Sequence, residues 1–284
     1  MHPVDALSLG GALAARDARL IDPVLVGPVA RIRAAAATAG LDLGGCELVD
    51  TTHSHEAAQR AVALARAGQV AALMKGALHT DELMHAVLDP QCGLRTARRV
   101  SHVFVCDTPR SPRLLLITDA AVNIYPTLAD KRDIVQNAID MAHALGIADP
   151  KVAILSAVET VSEQNRSTID AAALCKMAER GQITGGVLDG PLAFDNAVSP
   201  DAARTKGLRS PVAGVADILV VPDLEAGNML AKQLEYLAGA VLAGVAIGAR
   251  VPIILTSRAD PEVARLSSAA IACLCAVRAP AVAA

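Results

Sequence analysis

Short, largely apolar runs alternate with longer stretches of helical spacing along this chain. The runs read as strands at 23–27, 47–50, 70–74, 102–106, 114–117, 152–155, 185–188, 218–221 and 251–255. Helices are predicted over 3–20, 29–40, 53–67, 169–180, 229–243 and 262–276, with others opening at Thr80 and at Thr127 or Leu128. Runs that are apolar at every position, rather than at alternate ones, mark strands covered on both faces. Strand and helix in alternation then give an α/β protein with mainly parallel sheets. Turn residues punctuate the pattern. Gly40, Gly68 and Gly146 end helices, and Thr52 or Ser54, Thr80, and Ser167 or Thr168 are expected to cap them. Between Ser210 and Asn228 the sequence reads loop, buried strand, then Pro222 and a loop whose Gly227-Asn228 precede a helix from Met229.

In open parallel sheets ligands bind beyond the carboxyl ends of the strands. The polar residues expected at such ends are Lys75, Asp119, Asn123, Ser156, Asp189, Asp223, Gly227, Asn228, Ser257, Arg258 and Asp260, with Thr80 just after Lys75. Lys75 suits a phosphate or a carboxylate. Ser257-Arg258-x-Asp260 carries the most chemistry. A guanidinium offers a planar fork matched to phosphate oxygens. A neighbouring hydroxyl can donate to developing charge, and a carboxylate can take a proton from a thiol. No GxSxG elbow surrounds Ser257, and GxxxxGK[ST] is absent, so neither a serine hydrolase nor a P-loop enzyme is indicated.

Composition narrows the partners. Of 284 residues only 1% are aromatic, which removes the stacking platforms of single-stranded nucleic-acid binders, and a net charge of −3 gives no attraction for polyanions. No apolar run is long enough to span a membrane, and no signal peptide is expected. Six scattered cysteines are then expected as reduced cytoplasmic thiols. Cys273-x-Cys275 lacks a second ligand pair, and His53 and His55 read as surface residues, so no metal site is expected.

Several stretches together resemble the phosphate acetyltransferase and butyryltransferase family: KGALHT (75–80), TDAAVNIYPTLADKRDIVQNAI (118–139), VAILSAVET (152–160), DGPLAFDNAVS (189–199), SPVAGVADILVVPDLEAGNMLAKQL (210–234) and ILTSRAD (254–260). The NIYPT and DGPLAFDN segments are similar to the shorter, butyryltransferase-like branch. The resemblance implies two α/β domains with a cleft between them, similar to the isocitrate and isopropylmalate dehydrogenase fold. The first domain would be discontinuous, 1–108 plus 252–284, and the second would be 109–251. It implies acyl transfer, acetyl first and butyryl as the alternative, between CoA and inorganic phosphate by direct attack in a ternary complex. The partners are CoA, acyl-CoA, acyl phosphate and phosphate, all as substrates, with no bound cofactor and a homodimer or larger homo-oligomer. By the same resemblance Arg258 binds the phosphoryl group and Ser257 stabilises the charged transition state. The family's base, counted without a gap, falls on Ala264, so Asp260 is favoured, with Glu262 the other nearby carboxylate. A second family arginine falls on His85. Other readings stay open: a ping-pong route through Cys106 or Cys175, a non-catalytic acyl-CoA or acyl-phosphate binder, and an NAD-dependent oxidation of a hydroxy acid on the related fold.

Overall fold

The structure, a computed structural model, describes residues 1–256 and 260–278. In chain order the elements open with α1 (Ala6–Asp17), β1 (Val24–Gly27), α2 (Val29–Ala39), β2 (Glu47–Asp50), α3 (Ser54–Arg66), β3 (Leu73–Met74) and α4 (Thr80–Val87). Next come β4 (Ser101–Asp107), β5 (Leu115–Thr118), α5 (Leu128–Ala144), β6 (Lys151–Leu155), α6 (Arg166–Glu179), β7 (Val187–Leu192), α7 (Phe194–Val198) and α8 (Pro200–Thr205). The chain closes with β8 (Ile218–Val220), α9 (Leu224–Ala238), β9 (Val241–Ile247), β10 (Ile253–Ile254) and α10 (Glu262–Arg278). It divides into two compact units. One comprises Met1–Arg98 with Ala243–Ala284, the other Arg99–Leu242. Both divisions fall earlier in the sequence than the expected boundaries at 108 and 251.

In the first unit β1 pairs in parallel with β2, and β10 lies between β3, parallel to it, and β9, antiparallel. Leu9 and Leu13 of α1, Leu25 of β1 and Ile32 of α2 form a core, and α10 packs on α1. Gly40 ends α2 in the left-handed region at φ 65°, where a side chain would be strained.

The second unit carries strands in the order β4-β5-β8-β6-β7. β5, β8, β6 and β7 run parallel, and β4 is an antiparallel edge partner of β5. Ile117, Ala153 and Leu219, from three adjacent strands, are fully buried in one core, which explains the all-apolar runs. The carboxyl ends of β5, β8 and β6 therefore share one edge, which is where the candidate site is built.

Several elements differ from expectation. The helix expected over 229–243 starts earlier and stops at Ala238, because Gly239 turns left-handed at φ 68°. Beyond it VLAGVAI is the buried strand β9, hidden in the sequence by its alanines and glycine. Asp223 caps α9, so Gly227 and Asn228 lie inside the helix rather than before it. His53 caps α3, its Nδ1 accepting the Glu56 N–H at 3.2 Å. His79, not Thr80, is the cap residue of α4, and Asn165 that of α6. Asp189 does not end its strand, which runs on to Leu192.

Candidate functional site: the strand-end loops

In the second unit, the apolar run of β5 stops at Thr118, whose hydroxyl donates to the His102 carbonyl at 2.8 Å. Asp119 follows, 2% exposed. Its Oδ1 accepts the N–H groups of Ala121 and Val122 at 2.9 and 3.0 Å. Its Oδ2 accepts the Asn123 N–H at 3.1 Å and the Asn123 side-chain amide at 2.5 Å. Burial pushes this carboxyl above its ordinary range, and the donated hydrogen bonds pull it back. Asp119 thus folds the loop around itself. Its oxygens are spent on the protein rather than offered to a ligand.

The same loop is tied to the end of β8. Val221 donates its N–H to the Thr118 carbonyl at 2.9 Å, and Asn228 donates from Nδ2 to the Ala120 carbonyl at 3.2 Å. Asp223 accepts the Ala226 N–H at 2.9 Å. Gly227 is needed for close approach, since a Cβ there would lie 2.7 Å from Val221 Cγ2 and 2.9 Å from the Asp119 carbonyl oxygen. One strand further along, Ser156 is buried and shares a 2.7 Å hydrogen bond with the Ser167 hydroxyl. The structure therefore gathers Asp119, Asn123, Asp223, Gly227 and Asn228 into one bonded cluster, with Ser156 on the same edge. Asp189, paired with Ala153 within the sheet, accepts its neighbour Gly190's N–H at 2.8 Å and stands apart from that cluster.

The sequence reading missed one member, Arg99. Its Nε donates to Asn123 Oδ1 at 2.7 Å, and its side chain is 56% exposed. No sequence signal links Arg99 to Asn123, which lie 24 residues apart.

In the first unit Lys75 leaves β3 with its N–H donating to the Ile254 carbonyl at 3.0 Å. Since β3 and β10 are parallel and in register there, Lys75 and the segment after β10 leave the same edge. Thr80 is the first residue of α4, behind a cap whose His79 N–H donates to Glu82 at 3.3 Å. Asp260 is half-buried ahead of α10, while Ala264 is buried. Ser257 and Arg258 lie outside the described residues. A largely apolar cavity of about 500 Å³ in this unit is lined by Leu25, Leu73, Met74 and Cys273, with Lys75 among its lining.

Neither candidate cysteine is set up as a nucleophile. Cys106 is fully buried, and burial pushes its thiol up to about 11. Burial pushes Cys175 up to about 12. Both therefore stay protonated near neutral pH and react poorly. Among the described residues no group of His, Cys, Asp or Glu is arranged to hold a metal ion. No helix there is long and apolar enough to cross a membrane.

Parallel strands with polar, backbone-anchored loops at their carboxyl ends are the architecture of an α/β enzyme. Comparison with known proteins sharpens this. A branched-chain phosphotransacylase from Enterococcus faecalis V583 superposes with a TM-score of 0.76 at 34% identity, covering 83% of this chain and 84% of that one. A 4-hydroxythreonine-4-phosphate dehydrogenase from Klebsiella pneumoniae, at 14% identity and a TM-score of 0.56 over 96% of this chain and 97% of that one, shares the fold alone. Residues 51–273 match the model of the family described as phosphate acetyl/butaryl transferase. A phosphate acetyltransferase of Rhizobium meliloti is 64% identical over 98% of this chain and 88% of its own length. A phosphate butyryltransferase of Clostridium acetobutylicum is 43% identical over 92% and 88%. The chain belongs to the phosphate acetyl/butyryltransferase family, and it is an acyltransferase.

Proposed function

We propose that this enzyme moves an acetyl group between CoA and inorganic phosphate by direct attack with both substrates bound. The observation that carries the choice of acetyl is the 64% identity to a protein named phosphate acetyltransferase, against 43% to one named butyryltransferase. Starting from acetyl phosphate, the CoA sulfur attacks the carbonyl carbon and a C–S bond forms. The thiol proton passes to the Asp260 carboxylate. The tetrahedral intermediate then collapses, the bond between the acyl carbon and the bridging oxygen breaks, and phosphate departs with that electron pair. Arg258 holds the phosphoryl oxygens and Ser257 donates to the developing oxyanion. Holding both reactants in line removes roughly 7–11 kcal/mol of the barrier. Lys75 adds a cation to the substrate's phosphate, Thr80, Ser156 and Asn228 line the substrates, and Asn123 acts by holding its loop. Asp119, Asp223 and Gly227 act through the loop that they hold, and Asp189 through its strand.

The reaction so written requires no metal and no bound cofactor. The enzyme works as a homodimer, as the family resemblance implies, and in the cytoplasm, the latter reading supported by six free cysteines. Initial rates with acetyl phosphate and CoA varied together are expected to give intersecting double-reciprocal lines. Parallel lines would instead require an acyl-enzyme and end the direct-attack mechanism. The specificity constant for acetyl phosphate is expected to exceed that for butyryl phosphate by at least about tenfold. A preference for butyryl would reassign the substrate.

A further inference from the structure

Arg99 is pinned at every point except its fork. Its backbone N–H donates to Asp133 at 3.0 Å, and its carbonyl accepts from Asn137 Nδ2 at 2.8 Å, both partners on α5. Its Nε donates to Asn123 Oδ1 at 2.7 Å. Asn123, 4% exposed, is fixed in turn because its Nδ2 donates to the Val100 carbonyl at 2.9 Å and to Asp119. Since that nitrogen has two acceptors, its oxygen must face Arg99, and the amide cannot flip without leaving a buried donor facing a cation. Asp130 is the nearest carboxylate, 3.7 Å from Nε, and it is already engaged by the N–H and hydroxyl of Thr127 at the start of α5. Neither Nη1 nor Nη2 of Arg99 has a partner among the described residues.

We infer that Arg99 is a phosphoryl-binding residue, aimed by a relay from Asp119 through Asn123. A surface arginine ordinarily loses rotamer freedom when it grips an anion. Here most of that freedom is already gone, and the two terminal nitrogens remain for the bidentate geometry that phosphate oxygens favour. Its loop lies at the carboxyl-end edge of the parallel strands, where ligands of such sheets bind. The ligand chemistry is a phosphate group, either the phosphoryl group being transferred or one of the phosphates of CoA. Asn123 and Asp119 are positioning residues for it. Assigning the ligand rests on the acyl-transfer reading above.

The test is calorimetric binding of inorganic phosphate, CoA and 3′-dephospho-CoA to wild type, R99Q, R99K and N123A, with kcat and KM measured in parallel. R99Q is expected to weaken one of these ligands about tenfold or more, the loss of charge-assisted hydrogen bonds. The matching KM should rise similarly while kcat changes less than about threefold. R99K should recover only part of the affinity, because an ammonium lacks the fork. N123A should weaken the same ligand, and adding it to R99Q should cause no further loss. Weakening of phosphate identifies the transferred group. Weakening of CoA alone identifies the 3′-phosphate, and weakening of CoA and dephospho-CoA together identifies the diphosphate. If R99Q leaves all three affinities within about twofold and only lowers the melting temperature, Arg99 merely balances Asp130 and the inference is wrong. A wild type that binds these ligands through Arg99 but turns nothing over would instead sink the acyl-transfer reading and leave this one standing.

Discussion

The buried ion pair between α5 and α6 offers a stringent check on what holds the second unit together. Lys131 Nζ lies 2.8 Å from Asp170 Oδ2, and each side chain is 7% exposed. The D170N substitution leaves the ammonium in place, out of water, facing an amide. Breaking a buried pair from one side costs about 3–5 kcal/mol, because the remaining charge has lost its compensation. Arg166 also approaches Asp170, at 4.0 Å, but its side chain is 81% exposed, so it contributes at most about 1 kcal/mol and does not change the outcome. Removing both charges with K131M/D170L eliminates the desolvation penalty along with the attraction. That double variant is expected within about 1 kcal/mol of wild type, or above it. Against a total stability of about 5–15 kcal/mol, D170N then removes a large fraction. At about 2–4 °C per kcal/mol it should melt some 6–20 °C lower. Urea unfolding followed by far-UV circular dichroism, with calorimetric melting alongside, measures all three proteins. A D170N variant within 1 kcal/mol of wild type would refute the reasoning. So would a double variant no more stable than D170N.

Other expectations follow from the same geometry. Gly227→Ala improves helix propensity by about 1 kcal/mol but drives a Cβ to 2.9 Å from the Asp119 carbonyl oxygen. The clash, worth about 1–3 kcal/mol, should win and lower the melting temperature; a variant that melts higher would show that α9 can move away from the loop. His102 is fully buried with Nδ1 unpartnered, and burial lowers it from 6.5 to about 3. Between those values the unfolded chain binds a proton that the folded one does not, so stability falls as pH drops through the window, by up to about 1.4 kcal/mol per unit. His102→Phe should flatten that slope in melts from pH 7 to pH 4, and an unchanged slope would contradict it. Cys106→Ala and Cys175→Ala should each keep kcat within about threefold, since both thiols stay protonated. A loss beyond a hundredfold in either would revive a covalent route.

Much of the fold was legible because its signals are local. All-apolar runs such as Val152–Leu155 had to be covered strands, and Thr127 followed by Asp130 marks the start of α5 through reciprocal bonds over three residues. β9 was not legible. Its alanines and glycine are compatible with helix, and what decides the matter is the left-handed Gly239 in front of it. The caps at His53 and His79 also escaped, because side-chain identity alone does not say at which residue the backbone enters the helix. The site shows the same division. The strand-end carboxylates were visible as residues, but whether a carboxylate faces a ligand or its own loop is settled by donors placed in three dimensions. Asp119, with four donors, faces its loop. The Arg99–Asn123 bond joins residues 24 apart in sequence, brought together by the pairing of β4 with β5, and no spacing rule predicts it.

The most direct measurement of the central claim is thioester formation from acetyl phosphate and CoA by the purified enzyme, followed by absorbance and by phosphate release in the same samples. One phosphate freed per thioester formed is expected, with the rate reduced at least about a hundredfold in Arg258→Gln. Phosphate released without thioester, or no turnover with acetyl, propionyl or butyryl phosphate, would contradict the account.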